Sequence, residues 1–309
     1  MPRVAYLGPP GTFSEQALLT QPDLAAGELV DLPSITDVIE AITSGDVDLG
    51  VVPLENAIEG AVNVTLDTLT FDADVLIQRE IVISVQMNLL GLRGATMSDV
   101  QRVLSIPVAT AQCRAFLHKE LTSAVLIASN STAEAARQVI EEGDVSLAAI
   151  GTALAAEIYG LDVLAPDIED HPENETRFGV IARSGVPAPT GHDKTTIVVF
   201  QKADEPGSLL SILQEFSARA INLTNLHSRP TKRGLGDYCF LIELEGHLSD
   251  ELVADCLRDL KSKQADVKFL GSYPAASPHG EAVRRDADAK WRAADRWLGE
   301  LRAQVPPGR

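Results

Sequence analysis

The sequence predicts an α/β protein of two lobes with a cleft between them, followed by a smaller ferredoxin-like domain. Residues 1–190 alternate short apolar runs with helical patterns, which is the order of α/β sheets with helical crossovers. Residues 194–274 read strand, helix, strand, strand, helix, strand, which is the ferredoxin-like βαββαβ order. The charge divides at the same place, because residues 1–190 hold 27 Asp and Glu against 9 Lys and Arg, whereas residues 191–309 hold 17 of each.

The predicted strands of the first part are short apolar segments bounded by turns. They lie at residues 3–8, 28–33, 48–54, 100–106, 124–129, 145–151 and 161–166. Residues 74–91 have no obvious break and are expected to carry the chain from the first lobe into the second. The segment ENETRFGVIAR, residues 173–183, is expected to be the return strand. Two lobes joined by two crossing segments leave a cleft where ligand groups from both converge.

A Gly/Pro stretch, RSGVPAPTGHDK, separates the two parts and is typical of a linker. We predict a first domain over residues 1–186, a linker over 187–193, a second domain over 194–274 and a tail over 275–309. In the second domain, strands are predicted at residues 194–201, 223–231, 237–246 and 265–273, and helices at 205–220 and 249–263. So small a sheet leaves an exposed edge that dimerisation commonly covers, so a homo-oligomer is expected.

The tail is predicted to contain an amphipathic helix. The apolar residues that recur at helical spacing there are Ala287, Trp291, Ala294, Leu298 and Leu301. Packing on the chain's own surface is favoured over binding to another protein.

Composition narrows the class of protein. The chain of 309 residues has nothing approaching the roughly 18 unbroken apolar residues of a membrane span, and no secretory pattern follows Met1. We therefore expect a soluble, cytoplasmic protein that binds no membrane. Its three cysteines and six histidines are scattered, so neither a disulfide framework nor a metal site is predicted. The acidic first domain lacks the clustered Lys and Arg that contact nucleic-acid phosphates, so nucleic acid is excluded as a partner.

The first polar turn is YLGPPGTFSEQAL, a strand, a Gly/Pro turn and a helix that begins near Thr12 to Ser14. The free N–H groups of that helix fit a carboxylate or a phosphate, or else Thr12 or Ser14 simply caps the helix. Neither G-K-[ST] nor G-x-G-x-x-G is present, which argues against ATP and dinucleotides.

Two further turns carry polar groups. VVPLENAIEGAVNVTLDTL presents Glu55, Asn56 and Glu59 where open α/β sheets place ligand-binding groups, and a polar turn that caps the next helix is the competing interpretation. LSIPVATAQCRAF repeats the arrangement in the second lobe with Ser105 and Gln112. These two side chains either face a cleft that binds a polyanion with a hydroxyl group, or Ser105 caps the helix and Gln112 is solvated.

Together these segments resemble the prephenate dehydratase family along nearly the whole chain. The similarity rests on GPPGTFSEQAL, VVPLENAIEGAVNVTLDTL, the Ser105-x-Pro107-x4-Gln112-Cys113 pattern, STAEAA, AEIYGL, TRFGVI, EPGSLL and NLHSRP, and residues 275–309 fall outside it. The resemblance implies a bilobal catalytic domain that is periplasmic-binding-protein-like (type II) and a regulatory ACT domain. It also implies no cofactor and a homodimer or homotetramer.

The resemblance assigns roles to individual residues. It implies that Thr176 is essential to catalysis. It implies that Glu55, Asn56, Ser105 and Gln112 line the substrate cleft. The neighbouring residues Thr12, Phe13, Ser14, Arg177 and Phe178 are expected to bind the substrate as well. It implies that the second domain binds phenylalanine as effector. We expect the effector to lie between subunits, bound by Gly207, Ser208, Leu209 and Leu210 of one chain and by Asn222, Leu226, His227, Ser228 and Arg229 of the neighbouring chain. The chain departs from the family at Ile106 and Val108, where polar residues often flank the Pro, and at His227, where Glu is usual, so the effector's identity and strength stay open.

The family's reaction suggests what Thr176 does. Prephenate becomes phenylpyruvate by losing carbon dioxide from the ring and the 4-hydroxyl as water, and aromatisation drives both losses. The leaving hydroxyl needs a proton or strong hydrogen bonds, which a Thr hydroxyl in a dry cleft supplies without adding a charge. A strand Thr present for its β propensity is the competing interpretation.

Strand alternation constrains the neighbours of Thr176. If Thr176 faces the cleft, Phe178 faces the same side and Arg177 faces away unless the strand bulges. Arg177 then either orients the site through an acidic partner or holds a substrate carboxylate. Phe178 either stacks on the forming aromatic ring or belongs to the core. The helix N-termini at residues 11–14 and 108–111 are the expected sites for the substrate's anionic groups.

Three other functions fit parts of the sequence. A solute-binding protein shares the two-lobed architecture but normally has a signal peptide and no ACT domain. A non-catalytic amino-acid sensor needs the ACT motifs but not Thr176. An arogenate dehydratase has the same fold and nearly the same site, and the sequence does not separate it from a prephenate dehydratase.

Overall fold

The structure, a computed structural model, describes residues 1–201, 205–232, 237–276, 296–297 and 300. The chain divides into two compact units, Met1–Gly185 and Val186–Arg309. The predicted amphipathic helix of the tail cannot be compared with the structure, because its apolar residues Ala287, Trp291, Ala294, Leu298 and Leu301 lie outside the described residues.

The strands of the first unit follow the predicted apolar runs. They are β1 (Arg3–Leu7), β2 (Glu28–Leu32), β3 (Leu49–Asn56), β4 (Gly60–Ala61), β5 (Leu76–Ser84), β6 (Asn88–Gly91), β7 (Arg102–Ser105), β8 (Val125–Ala128), β9 (Leu147–Gly151), β10 (Asp162–Ala165) and β11 (Glu175–Ala182). The helices are α1 (Phe13–Leu19), α2 (Pro22–Ala25), α3 (Ile35–Ser44), α4 (Asn63–Asp67), α5 (Pro107–Gln112), α6 (Arg114–Glu120), α7 (Thr132–Glu142) and α8 (Ala153–Tyr159). A π-helical turn (Thr68–Asp72) follows α4, and a 3-10 turn (Met97–Asp99) precedes β7.

These strands form, among the described residues, two sheets built on one plan. The first has the order β2-β1-β3-β11-β5 with β4 added to β3, and the second has the order β10-β6-β9-β7-β8. Each contains a parallel triplet, β2-β1-β3 and β8-β7-β9, followed by an antiparallel strand. That antiparallel strand is the one by which the chain arrives from the other lobe, β11 in the first sheet and β6 in the second. The predicted two-lobed α/β class is therefore confirmed.

The segment at residues 74–91 crosses between the lobes as predicted, but it is not one continuous strand. β5 ends at Ser84 in the first sheet and β6 begins at Asn88 in the second. The residues between them bond to the returning chain. Val85 N donates to Asn174 O at 2.8 Å, and Ile168 N donates to Met87 O at 2.8 Å. The two crossing segments are thus bonded to each other.

Both faces of the second sheet carry a core. Leu89 and Val103 pack in one cluster, and their neighbours Leu90 and Leu104 pack in the other, against α7 and α8. Because successive side chains of a strand point to opposite faces, a strand covered on both faces must be apolar throughout. This explains the unbroken apolar runs that predicted these strands.

The second unit has the predicted βαββαβ order. Its elements are β12 (Asp193–Phe200), α9 (Ser208–Ser217), β13 (Leu223–Pro230), β14 (Tyr238–Glu245), α10 (Glu251–Lys263) and β15 (Asp266–Pro274). The sheet is antiparallel with the order β13-β14-β12-β15. Its core joins alternate residues of β12 and β14 to the apolar faces of both helices, with Ile197, Phe240 and Ile242 facing Phe216 and Leu260.

Candidate active site

The start of β11 and the end of β3 bring the central residues of the site together. In the pairing of these strands, Thr176 lies opposite Asn56 and Arg177 lies opposite Glu55. The register shifts before Phe178, as a β-bulge does. The pairing of β11 with β5 is regular at these residues, so β11 itself keeps the predicted alternation. Thr176 and Arg177 therefore face opposite sides of the sheet.

Asn56 holds the hydroxyl of Thr176. Asn56 Oδ1 accepts the backbone N–H groups of Ile58 and Glu59, both at 3.0 Å, so the amide's orientation is fixed with Nδ2 as the other end. Asn56 Nδ2 donates to Thr176 Oγ1 at 2.9 Å. Because this bond uses the hydroxyl as an acceptor, the hydroxyl hydrogen of Thr176 can donate to another group.

A chain of side-chain amides continues from Asn56 to the second lobe. Asn56 Nδ2 also donates to Asn174 Oδ1 at 2.9 Å, and Asn174 Nδ2 donates to Gln112 Oε1 at 3.1 Å. Gln112 Nε2 donates to Glu59 Oε1 at 3.1 Å. Gln112 ends α5 and is buried, so the interpretation of Gln112 as a solvated residue is wrong. These contacts join the predicted residues Asn56, Gln112 and Thr176 in one network.

Arg177 lies between two carboxylates on the other face. Its guanidinium contacts Glu55 at 2.9 Å and Glu80 at 2.5 Å, and the side chain of Glu80 is 1% exposed. Two carboxylates compensate the single positive charge. This geometry favours the interpretation that Arg177 orients the site through acidic partners rather than holding a substrate carboxylate.

Phe178 is a correction to the predicted substrate-binding set. It is 1% exposed and packs in the core of the first lobe with Ile81 and Val180. It lies on the same face as Thr176 but two residues further into the sheet, where neighbouring side chains cover it. Phe178 therefore belongs to the core and cannot stack on a substrate ring.

The loop between β1 and α1 is held by an internal carboxylate. Thr12 is the N-cap of α1, where its Oγ1 accepts from Glu15 N at 3.4 Å and donates to Leu7 O at 2.8 Å. Glu15 Oε2 accepts from Gly11 N at 2.5 Å, and Tyr6 OH donates to Glu15 Oε1 at 3.3 Å. Burial, together with the Glu15 carboxylate, raises the pKa of Tyr6. The chain's own carboxylate thus occupies the Gly11 N–H group, and the substrate anion predicted at residues 11–14 stays a prediction.

Phe13 and Ser14 pack within the protein as well. Phe13 packs against the core of the first lobe and against the core on one face of the second sheet. Ser14 is buried in the first turn of α1. Contact between these two side chains and substrate is therefore not what the structure favours.

The same loop joins the lobes and borders a cavity. Thr152 Oγ1 donates to Gly11 O at 2.7 Å, and Tyr159 OH donates to Pro10 O at 2.8 Å. A cavity of about 540 Å³ lies between the lobes here. Its walls include Gly8, Pro10, Thr12, Asp31, Ser131, Glu134, Arg137 and Tyr159.

Ser105 ends β7 and does not cap the next helix. Its Oγ donates to Ile150 O at 3.1 Å, and the N-cap position of α5 is Ile106, so the capping interpretation is wrong. Ser105 also lines a cavity of about 410 Å³ between α5, α6 and β8. α5 has 6 residues and begins with Pro107, and the anion site predicted at residues 108–111 stays a prediction.

Metal-binding clusters and membrane spans are both missing from the described part of the chain. Within the residues that the structure describes, no group of three or more His, Cys, Asp or Glu is arranged to hold a metal ion. Across that same part of the chain, no helix combines the length and the apolarity needed to cross a membrane.

The second unit has a cavity at the start of α9, close to several of the predicted effector residues. It measures about 360 Å³ and is lined by Gln201, Glu205, Gly207, Ser208, Leu209, Leu210, Leu213 and Phe240. Gly207 precedes the helix with φ +94°, a backbone conformation that glycine adopts without strain. Among the residues that the structure describes, no atom lies within 4 Å of the position a Cβ would take there, so the backbone is open to a ligand.

Strand β13 divides the other predicted effector residues between two faces. Ser228 and Leu226 lie opposite Phe240 and Ile242, which belong to the helix-covered face, so they share the side of the cavity. His227 and Arg229 alternate with them and face the other side. Within one chain His227 and Arg229 therefore do not reach the cavity, and their predicted contact with an effector held by a neighbouring chain stays a prediction. The remaining predicted residue, Asn222, is exposed and precedes β13, where its carbonyl accepts from Glu245 N at 3.0 Å.

Comparison with known proteins decides the family. Residues 4–186 match the family model described as prephenate dehydratase, which is more than half of the chain. The chain belongs to the prephenate dehydratase family. Residues 195–262 match the ACT domain model.

Individual prephenate dehydratases are similar over almost the full length. The enzyme of Mycolicibacterium vanbaalenii is 40% identical over 307 residues, which cover 94% of this chain and 97% of the relative. The crystal structure of the Arthrobacter aurescens prephenate dehydratase in complex with L-Phe is 36% identical with a TM-score of 0.86, covering 97% and 99% of the two chains. A protein named GqqA, described as a novel type of quorum quenching acylase, is 29% identical with a TM-score of 0.79, covering 89% and 98%. The predicted family, fold class and hydro-lyase enzyme class are confirmed.

Sequence reasoning about the prephenate dehydratase motifs missed two residues of this site. Asn174 lies two positions before Thr176 in ENETRF, outside the strand proper, and its burial could be recognised only from the fold. Glu80 did leave a signal, because a charged pair interrupts the apolar strand LIQREIVIS. A buried charge in a strand requires a partner, and Arg177 provides it.

Proposed function

We propose that this enzyme converts prephenate to phenylpyruvate, carbon dioxide and water in phenylalanine biosynthesis, with Thr176 as the catalytic residue. The observation that carries the proposal is the 2.9 Å hydrogen bond from Asn56 Nδ2 to Thr176 Oγ1. It occupies an acceptor position of the hydroxyl and leaves its hydrogen to donate toward the leaving oxygen of the substrate.

The reaction then needs little beyond that donor. The bond between the ring and its carboxylate breaks, the electron pair moves through the ring, and the bond from the ring to the 4-hydroxyl oxygen breaks. The departing hydroxide takes up one proton, supplied in the end by solvent, and leaves as water. Thr176 stabilises the negative charge that develops on that oxygen. Because the residues bonded around Thr176 are amides, no charge is introduced that would bind the ground state equally well.

The remaining predicted site residues divide by position. Asn56 and Gln112 belong to the network around Thr176, and we assign them to the wall of the substrate cleft nearest the reacting bond. Thr12 and Ser105 line separate cavities and are assigned to more distant walls. Arg177 and Glu55 are assigned to positioning, since each binds the other.

Acylase activity, as described for the similar quorum quenching protein, is less well supported by this geometry. A threonine that attacks an acyl group needs a base within hydrogen-bond reach to take its proton. The group bonded to Thr176 Oγ1 is the Nδ2 end of Asn56, which donates and cannot accept that proton.

The second unit is proposed to regulate the first. We assign the catalytic domain to residues 1–186, the linker to 187–193 and the ACT domain to 194–274, and we propose that phenylalanine binds the ACT domain as an allosteric effector. The similar Arthrobacter aurescens enzyme was solved with L-Phe, and the 360 Å³ cavity beside Gly207 has room for an amino acid. We further propose a homodimer or homotetramer in the cytoplasm, with the effector bound between subunits.

The substrate is tested by incubating the purified chain with prephenate or with arogenate. Phenylpyruvate from prephenate, with a kcat/KM at least about tenfold above that for arogenate, is expected, and phenylalanine from arogenate is the other product to quantify. A higher kcat/KM for arogenate would assign the chain to arogenate dehydration. Absence of both products, together with hydrolysis of an N-acyl homoserine lactone, would replace the proposal by acylase activity.

The effector site is tested by Gly207→Phe, with Gly191→Phe as the matched control. Both glycines have a positive φ, +94° and +88°, and open space at the Cβ position, so both substitutions strain the backbone alike. Gly207→Phe is expected to lose calorimetric binding of phenylalanine and the kinetic response, while turnover without phenylalanine is unchanged. If Gly207→Phe responds to phenylalanine as Gly191→Phe does, the effector binds elsewhere.

A further inference from the structure

Asn174 is a buried polar residue to which the proposed mechanism has given no role. It is 1% exposed and immediately precedes β11. Its backbone is fixed at both polar groups, since its N donates to His171 O at 3.0 Å and its O accepts from Val85 N at 2.8 Å. The position of its side chain is therefore set by the two segments that cross between the lobes.

The side chain of Asn174 bonds at both ends to residues of the catalytic network. Its Oδ1 accepts from Asn56 Nδ2 at 2.9 Å and its Nδ2 donates to Gln112 Oε1 at 3.1 Å. A buried amide needs partners, but backbone groups would serve as well. Here both partners are side-chain amides, and one of them contacts Thr176.

The two hydrogens of Asn56 Nδ2 explain why the acceptor on Asn174 matters. Both Thr176 Oγ1 and Asn174 Oδ1 lie at 2.9 Å from Nδ2, while the carbonyl of Glu175 is further away at 3.3 Å. An amide group is planar, so fixing the direction of one hydrogen fixes the direction of the other. The bond to Asn174 thus aims the remaining hydrogen at Thr176.

We propose that Asn174 is a positioning residue, which holds the amide of Asn56 so that the hydroxyl of Thr176 keeps its own hydrogen directed at the leaving oxygen. The inference rests on the proposed role of Thr176. Without Asn174 Oδ1, one hydrogen of Asn56 Nδ2 loses its acceptor, so the amide, still held at Oδ1 by the N–H groups of Ile58 and Glu59, tilts toward the carbonyl of Glu175 and the Thr176 hydroxyl takes other orientations. The loss falls on kcat rather than KM, because the misdirected bond is one made mainly in the transition state.

The test is a double-mutant cycle in the full-length enzyme with prephenate as substrate. Asn174→Leu and Thr176→Val are made singly and together, and kcat and KM are measured for all four proteins. Asn174→Leu is expected to lower kcat at least about tenfold with KM changed less than about threefold. In the Thr176→Val background the same substitution is expected to change kcat less than about twofold, because the group it positions is gone.

A merely structural Asn174 gives a different pattern. It would lower kcat by the same factor in both backgrounds, and that result overturns the inference, as does an unchanged kcat in Asn174→Leu alone. If Asn174→Leu does not fold, Asn174→Ala goes through the same cycle, since it removes the acceptor facing Asn56 without adding bulk or charge. Its loss is expected to be similar and again to vanish beside Thr176→Val, and an equal loss in both backgrounds overturns the inference.

The outcomes also separate this inference from the proposed function. A wild-type chain inactive on prephenate, or a fully active Thr176→Val, contradicts the mechanism itself. A wild-type chain that is active, with an impaired Thr176→Val and a normal Asn174→Leu, contradicts only the role of Asn174.

Discussion

The two faces of β11 use their polar contacts to different ends. On one face, Thr176 is bonded to a neutral amide, and on the other, Arg177 is bonded to Glu55 and Glu80. Neutral amide bonds are directional and impose no net charge, which suits the orientation of a hydroxyl. Breaking a buried ion pair is strongly destabilising, so such a pair holds a strand in place. If Thr176 is catalytic as proposed, adjacent residues of one strand serve catalysis and stability separately, and substitutions on each face should affect different measurements.

The largest expected effect is on stability, from the charged face. Arg177→Met leaves the carboxylate of Glu80, whose side chain is 1% exposed, without its cation. We expect the free energy of unfolding to fall by about 3–5 kcal/mol, the usual penalty for breaking a buried pair. Urea unfolding followed by circular dichroism measures it. An Arg177→Met protein as stable as the wild type would mean that the charged face does not hold the strand.

The next effect is on catalysis, from the neutral face. Thr176→Val keeps the shape of the side chain and removes the donor, so kcat should fall by about 10²-fold or more, equivalent to about 2.7 kcal/mol, with KM changed little. Thr176→Ser is the matched control, because it keeps the hydroxyl and should retain most of kcat. The urea transition should be nearly unchanged in both. If Thr176→Val keeps more than half of the wild-type kcat, Thr176 has no part in the mechanism.

A third substitution, Phe178→Leu, tests whether a residue on the same face as Thr176 also binds substrate. Phe178 shares the face of Thr176 but is buried in the core, so Phe178→Leu should lower the free energy of unfolding by about 1–2 kcal/mol. Its KM for prephenate should stay within about twofold of the wild type, since no ring contact with substrate is lost. A large rise in KM without loss of stability would restore Phe178 to the substrate-binding set.

The smallest expected effect, that of Glu55→Gln on stability, refines the prediction for Arg177→Met. Glu55 also contacts Arg177, but its side chain is 36% exposed, so solvent screens the pair. Glu55→Gln should therefore change the free energy of unfolding by less than about 1 kcal/mol. If Glu55→Gln lowered the free energy of unfolding as much as Arg177→Met does, the exposed pair with Glu55 would matter as much as the buried pair with Glu80, and the argument from burial would be wrong.

Periodicity predicted most of this arrangement. The apolar runs located the strands because the second sheet is covered on both faces, and alternation along ENETRF was enough to put Thr176 and Arg177 on opposite sides of a strand. The motif residues Asn56 and Gln112 were expected in the cleft and do lie in one network with Thr176. Local sequence rules suffice for such features, because these features depend on the periodicity of the side chains and on where each strand ends.

Features that depend on tertiary distance could not be predicted. The burial of Phe178 depends on α1 and β5, which are far from it in sequence. The burial of the Asn174 side-chain amide depends on its bond to Gln112, 62 positions away. In each case the deciding contact comes from another element, about which the local pattern says nothing.

The hydrogen bonds between the two crossing segments determine which motions the first unit allows. Val85 N bonded to Asn174 O and Ile168 N bonded to Met87 O make a narrow ribbon of two chains. Such a ribbon resists stretching more than twisting, so we expect any relative motion of the two lobes to be a rotation about it. That rotation also breaks the bonds from Thr152 to Gly11 and from Tyr159 to Pro10. Thr176 lies two residues beyond Asn174, close to the axis, so its hydroxyl is displaced less than the far walls of the cleft.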